Sequence, residues 1–211
     1  MRALVIANGT PPEPGLVHRL ARDADLVVCA DGGALAALAA GLRPHWIVGD
    51  LDSLTEGMIA GWLPLGTGIR RYPARKDETD LELALLHVLQ CGADEITIVG
   101  ALGGRVDQTL ANLFLLAMPA LRGVRTRIRD EYCEVQLIDG EGTIRGQVGD
   151  TVSLLPLGGD AVGIETEGLE WALEGGTLTL GGARGVSNVL TAPVAAVRLR
   201  SGLLLSVRLL T

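Results

Sequence analysis

Aromatic residues, cysteine and long hydrophobic runs are all scarce in this sequence, and each absence excludes a class of protein. Aromatics make up 3% of the 211 residues against 48% for all hydrophobic residues, so we expect a core of Leu, Val, Ala and Ile. No segment approaches the ~18 apolar residues of a membrane span, and the first apolar run ends at Asn8-Gly9, too early for a secretion signal. We therefore expect a soluble, cytoplasmic protein of one or two domains with no membrane partner.

The few cysteines and histidines form no pattern that binds zinc or builds a disulfide framework. Cys29, Cys91 and Cys133 are odd in number and lack CxxC spacing, so we expect them to be small buried hydrophobes. No histidine accompanies a serine or cysteine motif, which leaves a catalytic triad without support.

Positive charge is also scarce, because 18 Lys and Arg face 25 Asp and Glu and no run of basic residues occurs. A net charge of −7 argues against a nucleic-acid surface or an anionic-membrane surface. An anionic substrate would therefore have to be bound at a local site, by a metal ion and backbone amides.

The first two thirds of the chain alternate short apolar runs, typical of strands, with helical patterns. The strand and helix pairs are 3–7 with 16–22, 26–30 with 34–40, and 46–48 with 55–62. A clear helix follows over 79–90, opened by the capping box Thr79-x-x-Glu82, then a strand over 96–99 and a helix over 107–118. This alternation predicts a mostly parallel sheet covered by helices.

After about Ile138 the pattern changes, since 14 of the 29 glycines lie between Gly140 and the C-terminus. Short alternating segments at 151–155, 162–167, 177–180, 194–200 and 203–209 predict strands. We expect Ser201-Gly202 to form a hairpin turn between the last two. The pattern predicts a small all-β domain, a sandwich.

Two acidic clusters mark the α/β part. Asp50 and Asp52 directly follow the apolar run 46–48, at the carboxyl end of a predicted parallel strand, where open sheets bind ligands. If strand geometry persists, both project to one side and Leu51 points into the core. The alternative is a purely structural role, a solvated turn in which Asp52-Ser53 caps the next helix. Hard oxygen ligands in this arrangement suit Mg²⁺.

The second cluster, Lys76-Asp77-Glu78-Thr79-Asp80, lies at the start of the predicted helix over 79–90. A helix N-terminus favours a carboxylate even without a metal, so Asp80 could be a simple first-turn acid and Lys76 a surface charge. Together with the first cluster, the segment indicates an enzyme that handles phosphate.

Two glycine turns follow predicted strands. Residues 100–104 leave backbone N–H groups uncovered and are followed by Arg105, which suits phosphate. The segment matches neither the P-loop nor GxGxxG, so a standard nucleotide kinase or dehydrogenase loses support. Asp31-Gly32-Gly33 has the same geometry with an acid first. Either turn could be a tight strand-to-helix connection.

In the β part, Ser187 and Asn188 supply a hydroxyl and an amide after a glycine-rich stretch, well suited to hydrogen-bonding a heterocycle. The alternative is an ordinary turn. Trp171 could stack on a flat ligand or pack in the core.

Taken in order, six short motifs spanning nearly the whole chain resemble the thiamine pyrophosphokinase family. They are ADGGA at 30–34, GDLDS at 49–53, KDETD at 76–80, GGRVDQTLAN at 103–112, SLLPL at 153–157 and GVSN at 185–188. The resemblance implies an α/β, Rossmann-like, mostly parallel sheet with flanking helices over 1–139, the ATP- and Mg²⁺-binding catalytic domain. A β-sandwich over 140–211 would bind thiamine.

The implied reaction is pyrophosphoryl transfer from ATP to the hydroxyethyl group of thiamine, giving thiamine diphosphate and AMP. The family is homodimeric, with thiamine sites where the α/β domain of one subunit meets the β domain of the other. Residue by residue, the resemblance implies that Asp50, Asp52 and Asp80 hold Mg²⁺. The same acids and three further charged residues form the implied catalytic set: Asp77, Arg105 and Asp107.

The resemblance also assigns the two substrates. The nucleotide and its phosphates would be met by a set of small, polar and charged residues: Asp31, Gly32, Gly33, Ser53, Lys76, Thr79, Gly103, Gly104, Gln108 and Asn112. Ser187 and Asn188, with Trp171, would meet the thiamine pyrimidine.

One position departs from the family. Members commonly carry His after the aspartate of the RxD motif, whereas this chain has Gln108, which hydrogen-bonds but cannot titrate. Two alternatives stay open: a diphosphokinase acting on another hydroxymethyl heterocycle such as a pterin, and a non-catalytic nucleotide or thiamine-diphosphate sensor.

Overall fold

A computed structural model describes residues 1–210 and divides the chain into two compact units, Met1–Glu131 (unit 1) and Tyr132–Thr211 (unit 2). Unit 1 is α/β and unit 2 is all-β, which confirms the predicted fold class. Each unit has its own aliphatic core. None of the helices within residues 1–210 has both the length and the apolar character that a membrane crossing requires.

Unit 1 is built on a parallel sheet whose strands lie in the order β6-β5-β1-β2-β3-β4. Their bounds are β1 Arg2–Ile6, β2 Leu26–Ala30, β3 Trp46–Gly49, β4 Gly68–Arg71, β5 Glu95–Val99 and β6 Arg125–Arg129. All five residues of β2 are buried, since helices cover both faces of a parallel sheet. The predicted parallel sheet is confirmed.

Five helices connect these strands: α1 Pro14–Arg22, α2 Gly33–Ala39, α3 Glu56–Trp62, α4 Asp80–Gln90 and α5 Val106–Leu115. Single 3-10 turns lie at Leu63–Leu65 and Pro119–Leu121. α4 begins as predicted, because the Thr79 hydroxyl accepts a hydrogen bond from the Glu82 amide at 3.2 Å. α5 ends at Leu115, before the predicted Met118.

The strand order reverses at β1. From β1 the chain moves outward through β2, β3 and β4, then returns to place β5 on the other side. The loops after β1 and β5 hydrogen-bond to each other, with Gly9 N–H donating to Gly100 O at 2.7 Å and Thr10 N–H to Leu102 O at 3.1 Å. Open α/β sheets bind ligands at such a switch point, beyond the carboxyl ends of the strands.

Over residues 132–210, unit 2 contains three long and two short strands: β7 Cys133–Arg145, β8 Thr151–Glu167, β9 Gly176–Leu178, β10 Asn188–Val189 and β11 Val194–Leu209. β11 pairs antiparallel with β7 and β8, and β8 also pairs with β9 and β10. Residues on either side of the register shifts, such as Leu204 and Val197 of β11, belong to one core. The long strands therefore contribute to a single core on both sides of their register shifts.

The predicted hairpin at Ser201-Gly202 is wrong. β11 runs through both residues without reversing, and the register against β7 shifts between Arg198 and Leu203. Gly202 has φ +92°, and a Cβ there would lie 2.4 Å from Asp160 O. The Ser-Gly pair thus forms an irregularity within one strand, where glycine permits a close backbone approach. The separate predicted strands at 151–155 and 162–167 are likewise one strand, β8.

The cysteines are only partly as expected. Cys29 is buried in the unit 1 core, and its burial raises the pKa of the thiol. Cys91 is exposed and Cys133 is half-buried, so the expectation of three buried cysteines is wrong. Cys91 follows directly after α4, at the C-cap, where the helix leaves the core.

Candidate active site

Three carboxylates converge at the carboxyl edge of the unit 1 sheet. Asp31 directly follows β2 and Asp50 directly follows β3, so the pairing of these strands brings the two loops together. Carboxylate oxygens of Asp31, Asp50 and Asp52 all lie within 4.8 Å of one another. Oxygen ligands at this spacing can hold a hard divalent cation.

Asp31 is the buried member of this carboxylate cluster, with 4% of its surface exposed. Its Oδ2 accepts a short hydrogen bond from the Ser53 hydroxyl and one from Asn8 Nδ2 at 3.4 Å. Its Oδ1 is buried and has no hydrogen-bond partner among residues 1–210. A buried carboxylate oxygen left without a donor is costly, and a cation at this point would satisfy it.

Asp50 and Asp52 converge through a turn and not through continued strand geometry. β3 ends at Gly49, and Leu51 adopts φ +67° while its side chain is buried in the core. The Asp52 amide donates to Asp50 Oδ1 at 3.3 Å. Leu51 points inward as its spacing predicts, and the left-handed residue turns both acids outward.

Lys76 joins the second acidic cluster to the first. Its ammonium group lies 3.0 Å from Asp80 Oδ1 and 3.5 Å from Asp50 Oδ2, with 11% of the side chain exposed. Burial alone would lower the pKa of Lys76, but hydrogen bonds and charges from Asp80 and Asp50 outweigh it and raise the pKa above its ordinary 10.5. Lys76 is therefore firmly protonated.

Asp80 faces the first cluster from the start of α4. Burial raises its pKa above the ordinary 3.8, although Lys76 acts in the opposite direction. Lys76 pairs with Asp50 and Asp80, and Asp50 also clusters with Asp31 and Asp52, so four carboxylates are linked to a single ammonium group. This excess of negative charge fits a bound cation, and the donor set suits Mg²⁺.

Gly49 makes this approach of the two clusters possible. A Cβ at this position would lie 3.0 Å from Asp80 Oδ1 and 3.1 Å from the Cβ of Asp31. Two other members of the second cluster have different surroundings: Asp77 is exposed to solvent, and Thr79 is the helix cap.

Asn8 was missed in the sequence. It follows β1, and its Nδ2 donates to Asp31 and to Ser53 Oγ at 3.3 Å. A Cβ on Gly32 would lie 2.5 Å from the Asn8 side chain, and one on Gly33 would lie 2.0 Å from Ile6 O. The two glycines therefore let α2 begin against the end of β1. A polar residue just past an apolar strand was the available signal for Asn8.

The glycine turn after β5 presents backbone at the same carboxyl edge. Gly103 and Gly104 have φ of +78° and +67°, which glycine adopts without strain. Asn112 is buried and donates from Nδ2 to Ala101 O at 2.7 Å, so it holds the turn against α5. Gly9 hydrogen-bonds to this turn and is the neighbour of Asn8.

Arg105 and Asp107 are exposed and form an ion pair, with Nε donating to Oδ1 at 3.1 Å. Arg105 lowers the pKa of Asp107, with help from the Gln108 amide, and Asp107 raises the pKa of Arg105. The pair offers a guanidinium group to solvent at the N-terminus of α5, where an anion is favoured.

In unit 2, Asn188 clamps the backbone of Trp171. Its Oδ1 accepts from Trp171 N–H at 3.0 Å, and its Nδ2 donates to Trp171 O at 2.8 Å. Trp171 is 59% exposed, so the core-packing alternative does not apply. Ser187, which directly precedes Asn188, has φ +63°, and its amide donates to Ser153 Oγ at 3.1 Å.

Family models match both halves of the chain. A model described as thiamin pyrophosphokinase, catalytic domain, matches residues 17–128. A second, described as thiamin pyrophosphokinase, vitamin B1 binding domain, matches residues 141–204. Both acidic clusters fall within the first match, and Trp171, Ser187 and Asn188 fall within the second.

Whole-chain similarities agree. The thiamine pyrophosphokinase of Bacillus subtilis is 30% identical over 185 residues, covering 87% of this chain and 86% of that protein. Thiamine pyrophosphokinase 1 of Arabidopsis thaliana is 28% identical, covering 96% and 84%. The crystal structure of the Bacillus subtilis thiamine pyrophosphokinase matches this chain with a TM-score of 0.86 at 26% identity. The crystal structure of a thiamin pyrophosphokinase family protein from Enterococcus faecalis matches with a TM-score of 0.86 at 27% identity, and each match covers 100% of both chains. On these matches, the chain belongs to the thiamine pyrophosphokinase family.

Proposed function

We propose that this protein is an Mg²⁺-dependent thiamine pyrophosphokinase, which transfers pyrophosphate from ATP to the thiamine hydroxyl and releases AMP. The observation that carries the proposal is the convergence of Asp31, Asp50 and Asp52 at the carboxyl edge of the sheet, with Asp31 Oδ1 buried and unpartnered within residues 1–210. An exposed acidic turn with only a structural role would not bury an unsatisfied carboxylate oxygen.

Asp50 and Asp52 are proposed metal ligands, as the sequence indicates, and the geometry adds Asp31 to them. Asp80 remains a proposed ligand, since it faces the cluster and shares Lys76 with Asp50. Mg²⁺, when bound, neutralises charge on the phosphate oxygens. The protein supplies the position at which this occurs.

The remaining charged groups would bind and orient ATP. The thiamine hydroxyl oxygen attacks the β-phosphorus and releases its proton to solvent. The bond from that phosphorus to the bridging oxygen of the α-phosphate breaks, and AMP leaves with that oxygen. Lys76 and Arg105 place positive charge where negative charge grows, and the 100–104 turn offers backbone N–H groups to phosphate. Asp107 orients Arg105 through their ion pair. Gln108 can hydrogen-bond a phosphate oxygen or water but carries no titrating proton.

The thiamine ring is assigned to unit 2. Trp171 offers an exposed indole for stacking, and Ser187 offers a hydroxyl to the pyrimidine. Asn188 has both amide atoms engaged with the Trp171 backbone, so its proposed contribution to thiamine binding includes holding the indole in place.

The test follows thiamine diphosphate and AMP by chromatography after incubation with thiamine, ATP and Mg²⁺, with EDTA as the metal-free comparison. We expect both products in equal amounts, only with metal, and on the order of 100-fold less with Asp52→Asn. Asp23→Asn is the matched control, because Asp23 is exposed and precedes β2, at the opposite edge of the sheet.

The other outcomes separate the alternatives. ADP in place of AMP would mean transfer of a single phosphoryl group. Turnover of a hydroxymethyl pterin but not of thiamine would identify the other heterocycle as substrate. Thiamine binding without product, unchanged by Asp52→Asn, would mean a sensor.

We also propose the cytoplasmic homodimer implied by the family, with thiamine sites shared between subunits. Light scattering measures the dimer. At a thiamine concentration well below the KM of Trp171→Ala, a mixture of Asp52→Asn and Trp171→Ala should be more active than the sum of the two variants, because some mixed dimers then contain one intact site. No recovery after verified subunit exchange would contradict shared sites.

A further inference from the structure

Asn8, Asp31 and Ser53 come from three neighbouring loops, those after β1, β2 and β3. Asn8 Nδ2 lies 3.4 Å from Asp31 Oδ2 and 3.3 Å from Ser53 Oγ, so its two N–H bonds can serve both. The Ser53 hydroxyl has one proton and a short contact with Asp31 Oδ2, whereas its contact with Asp52 Oδ1 is longer, at 3.3 Å. The donors of this triad therefore converge on one oxygen of Asp31.

The consequence lies at the other oxygen. Oδ2 of Asp31 accepts from both neighbours, whereas the buried Oδ1 accepts from no donor in the part of the chain that the structure describes. The triad thus fixes the rotation of the carboxylate and leaves Oδ1 as the atom free to bind a cation. Oxygens of the exposed Asp52 and half-buried Asp50 lie within 4.8 Å of an Asp31 oxygen, so these acids complete the cluster.

We propose that Asn8 and Ser53 are positioning residues that orient Asp31 Oδ1 toward a divalent cation before any nucleotide is bound. The inference rests on the proposed function for the identity of the site, and it gives Ser53 a role other than the ATP contact expected from the family resemblance. Hydrogen bonds that orient metal ligands typically contribute about 10- to 100-fold in metal affinity.

Gly32 provides an independent way to disturb the triad. Its φ of −59° suits any residue, but a Cβ would lie 2.5 Å from the Asn8 amide group. Gly32→Ala therefore displaces the Asn8 side chain while leaving every polar group of the triad in the sequence.

The experiment measures Mn²⁺ binding to the full chain without ATP or thiamine, by the loss of the free Mn²⁺ electron paramagnetic resonance signal. Because no nucleotide is present, a lost ATP contact cannot explain a lost affinity. We expect Asn8→Ala, Ser53→Ala and Gly32→Ala each to weaken Mn²⁺ binding about 10- to 100-fold. Ser53→Thr keeps the hydroxyl at an exposed position and should retain wild-type affinity.

Thr67→Ala is the matched control. It removes a buried side-chain hydrogen bond in unit 1, from Thr67 Oγ1 to Pro44 O at 2.9 Å, in the loop before β4 and at the opposite edge of the sheet. We expect it to lower the melting temperature and leave Mn²⁺ affinity unchanged. Melting temperatures of all variants show that each chain is folded.

Wild-type Mn²⁺ affinity in Asn8→Ala and Ser53→Ala would overturn the positioning role, and so would failure of Ser53→Thr to differ from Ser53→Ala. A wild-type chain that binds no Mn²⁺ would also overturn it. In each case the thiamine diphosphate assay on the wild type, run separately with Mg²⁺ and ATP, shows whether the proposed function fails as well.

Discussion

Replacing Gly49 with alanine tests whether the two acidic clusters are packed as closely as the structure shows. The new Cβ would lie 3.0 Å from Asp80 Oδ1 and 3.1 Å from Asp31 Cβ, at a backbone φ of +150° that favours glycine. Strained backbone of this kind costs about 1 to 3 kcal/mol, and overpacking costs a similar amount. The Asp80 side chain is 27% exposed and can move, whereas Asp31 Cβ is fixed to the backbone. We therefore expect a loss of about 2 to 3 kcal/mol in the free energy of unfolding.

Urea unfolding in EDTA measures this loss without a contribution from bound metal. In a Trp171→Phe background the remaining tryptophans, Trp46 and Trp62, lie in unit 1, so their fluorescence reports that unit alone. Gly61→Ala is the control, since Gly61 lies in α3 with open space around its Cβ position. Alanine there should stabilise the helix by about 0.5 to 1 kcal/mol.

Gly49→Ala should also bind Mn²⁺ less tightly than the parent, because the new Cβ separates Asp80 from Asp31. An unfolding free energy within about 0.5 kcal/mol of the parent, the range of a neutral surface change, would refute the close packing at Gly49. If Gly49→Ala kept both full stability and the Mn²⁺ affinity of the parent, the position of Asp80 beside the carboxylate cluster would also be contradicted.

Three further predictions concern other parts of the chain. Asp150→Ala should destabilise unit 2 by about 3 to 5 kcal/mol, because it removes the carboxylate 2.7 Å from Arg208 Nη1; near-wild-type urea unfolding followed by Trp171 fluorescence would contradict this. Burial, then the charge of Arg70, lowers the pKa of His87 below its ordinary 6.5. The stabilising effect of neutral His87 is therefore complete above pH 6.5 and is lost as the pH falls through the lowered folded-state pKa. As the pH falls over this range, the melting temperature of His87→Gln should decrease less than that of the wild type. Parallel plots of melting temperature against pH for the two proteins would exclude the effect. Trp171→Ala should raise the KM for thiamine about 10-fold if the indole stacks on the ring, with the KM for ATP unchanged, whereas equal changes in both would point to a general defect.

The fold was predictable where apolar runs were uninterrupted. β2 and β5 are almost wholly buried, and parallel strands covered on both faces read as continuous hydrophobic runs. β4 and β6 were not predicted, because Gly-Ile-Arg-Arg and Arg-Thr-Arg-Ile-Arg carry charges that break such a run. In β6 only Ile128 is fully buried, and Arg125 and Arg127 form ion pairs with Glu95 of the neighbouring strand β5.

The long strands of unit 2 could not be read from local pattern. Each register shift interrupts the alternation of buried and exposed positions, so one strand such as β8 reads as two short ones. Ser201-Gly202 has the composition of a hairpin turn, and only the pairing of β11 with β7 and β8 shows that the chain continues. Glycine permits both conformations, and the tertiary partners decide between them.

The candidate site likewise has features that the sequence predicted and features that it did not. That Asp50 and Asp52 would meet other acids followed from parallel topology, which places all strand carboxyl ends at one edge. That Asp31 would be their nearest partner depends on the β2–β3 register, fixed in part by Asp31 N–H donating to Val48 O at 2.9 Å. Asn8 belongs to no motif, and its role appears only when three loops are seen together.

Left-handed backbone conformation occurs at three of the family motifs. Among residues 1–210, the non-glycine residues with positive φ are Asp31, Leu51 and Ser187, and each lies in a segment that the family motifs single out. The left-handed conformation costs roughly 1 to 2 kcal/mol for such a residue. At Leu51 this strain buries the leucine and turns the flanking acids outward together. An unstrained turn would stabilise the fold at least as well as this strained leucine between two carboxylates. The strain at Leu51 therefore supports a functional reason for the convergence of the carboxylates.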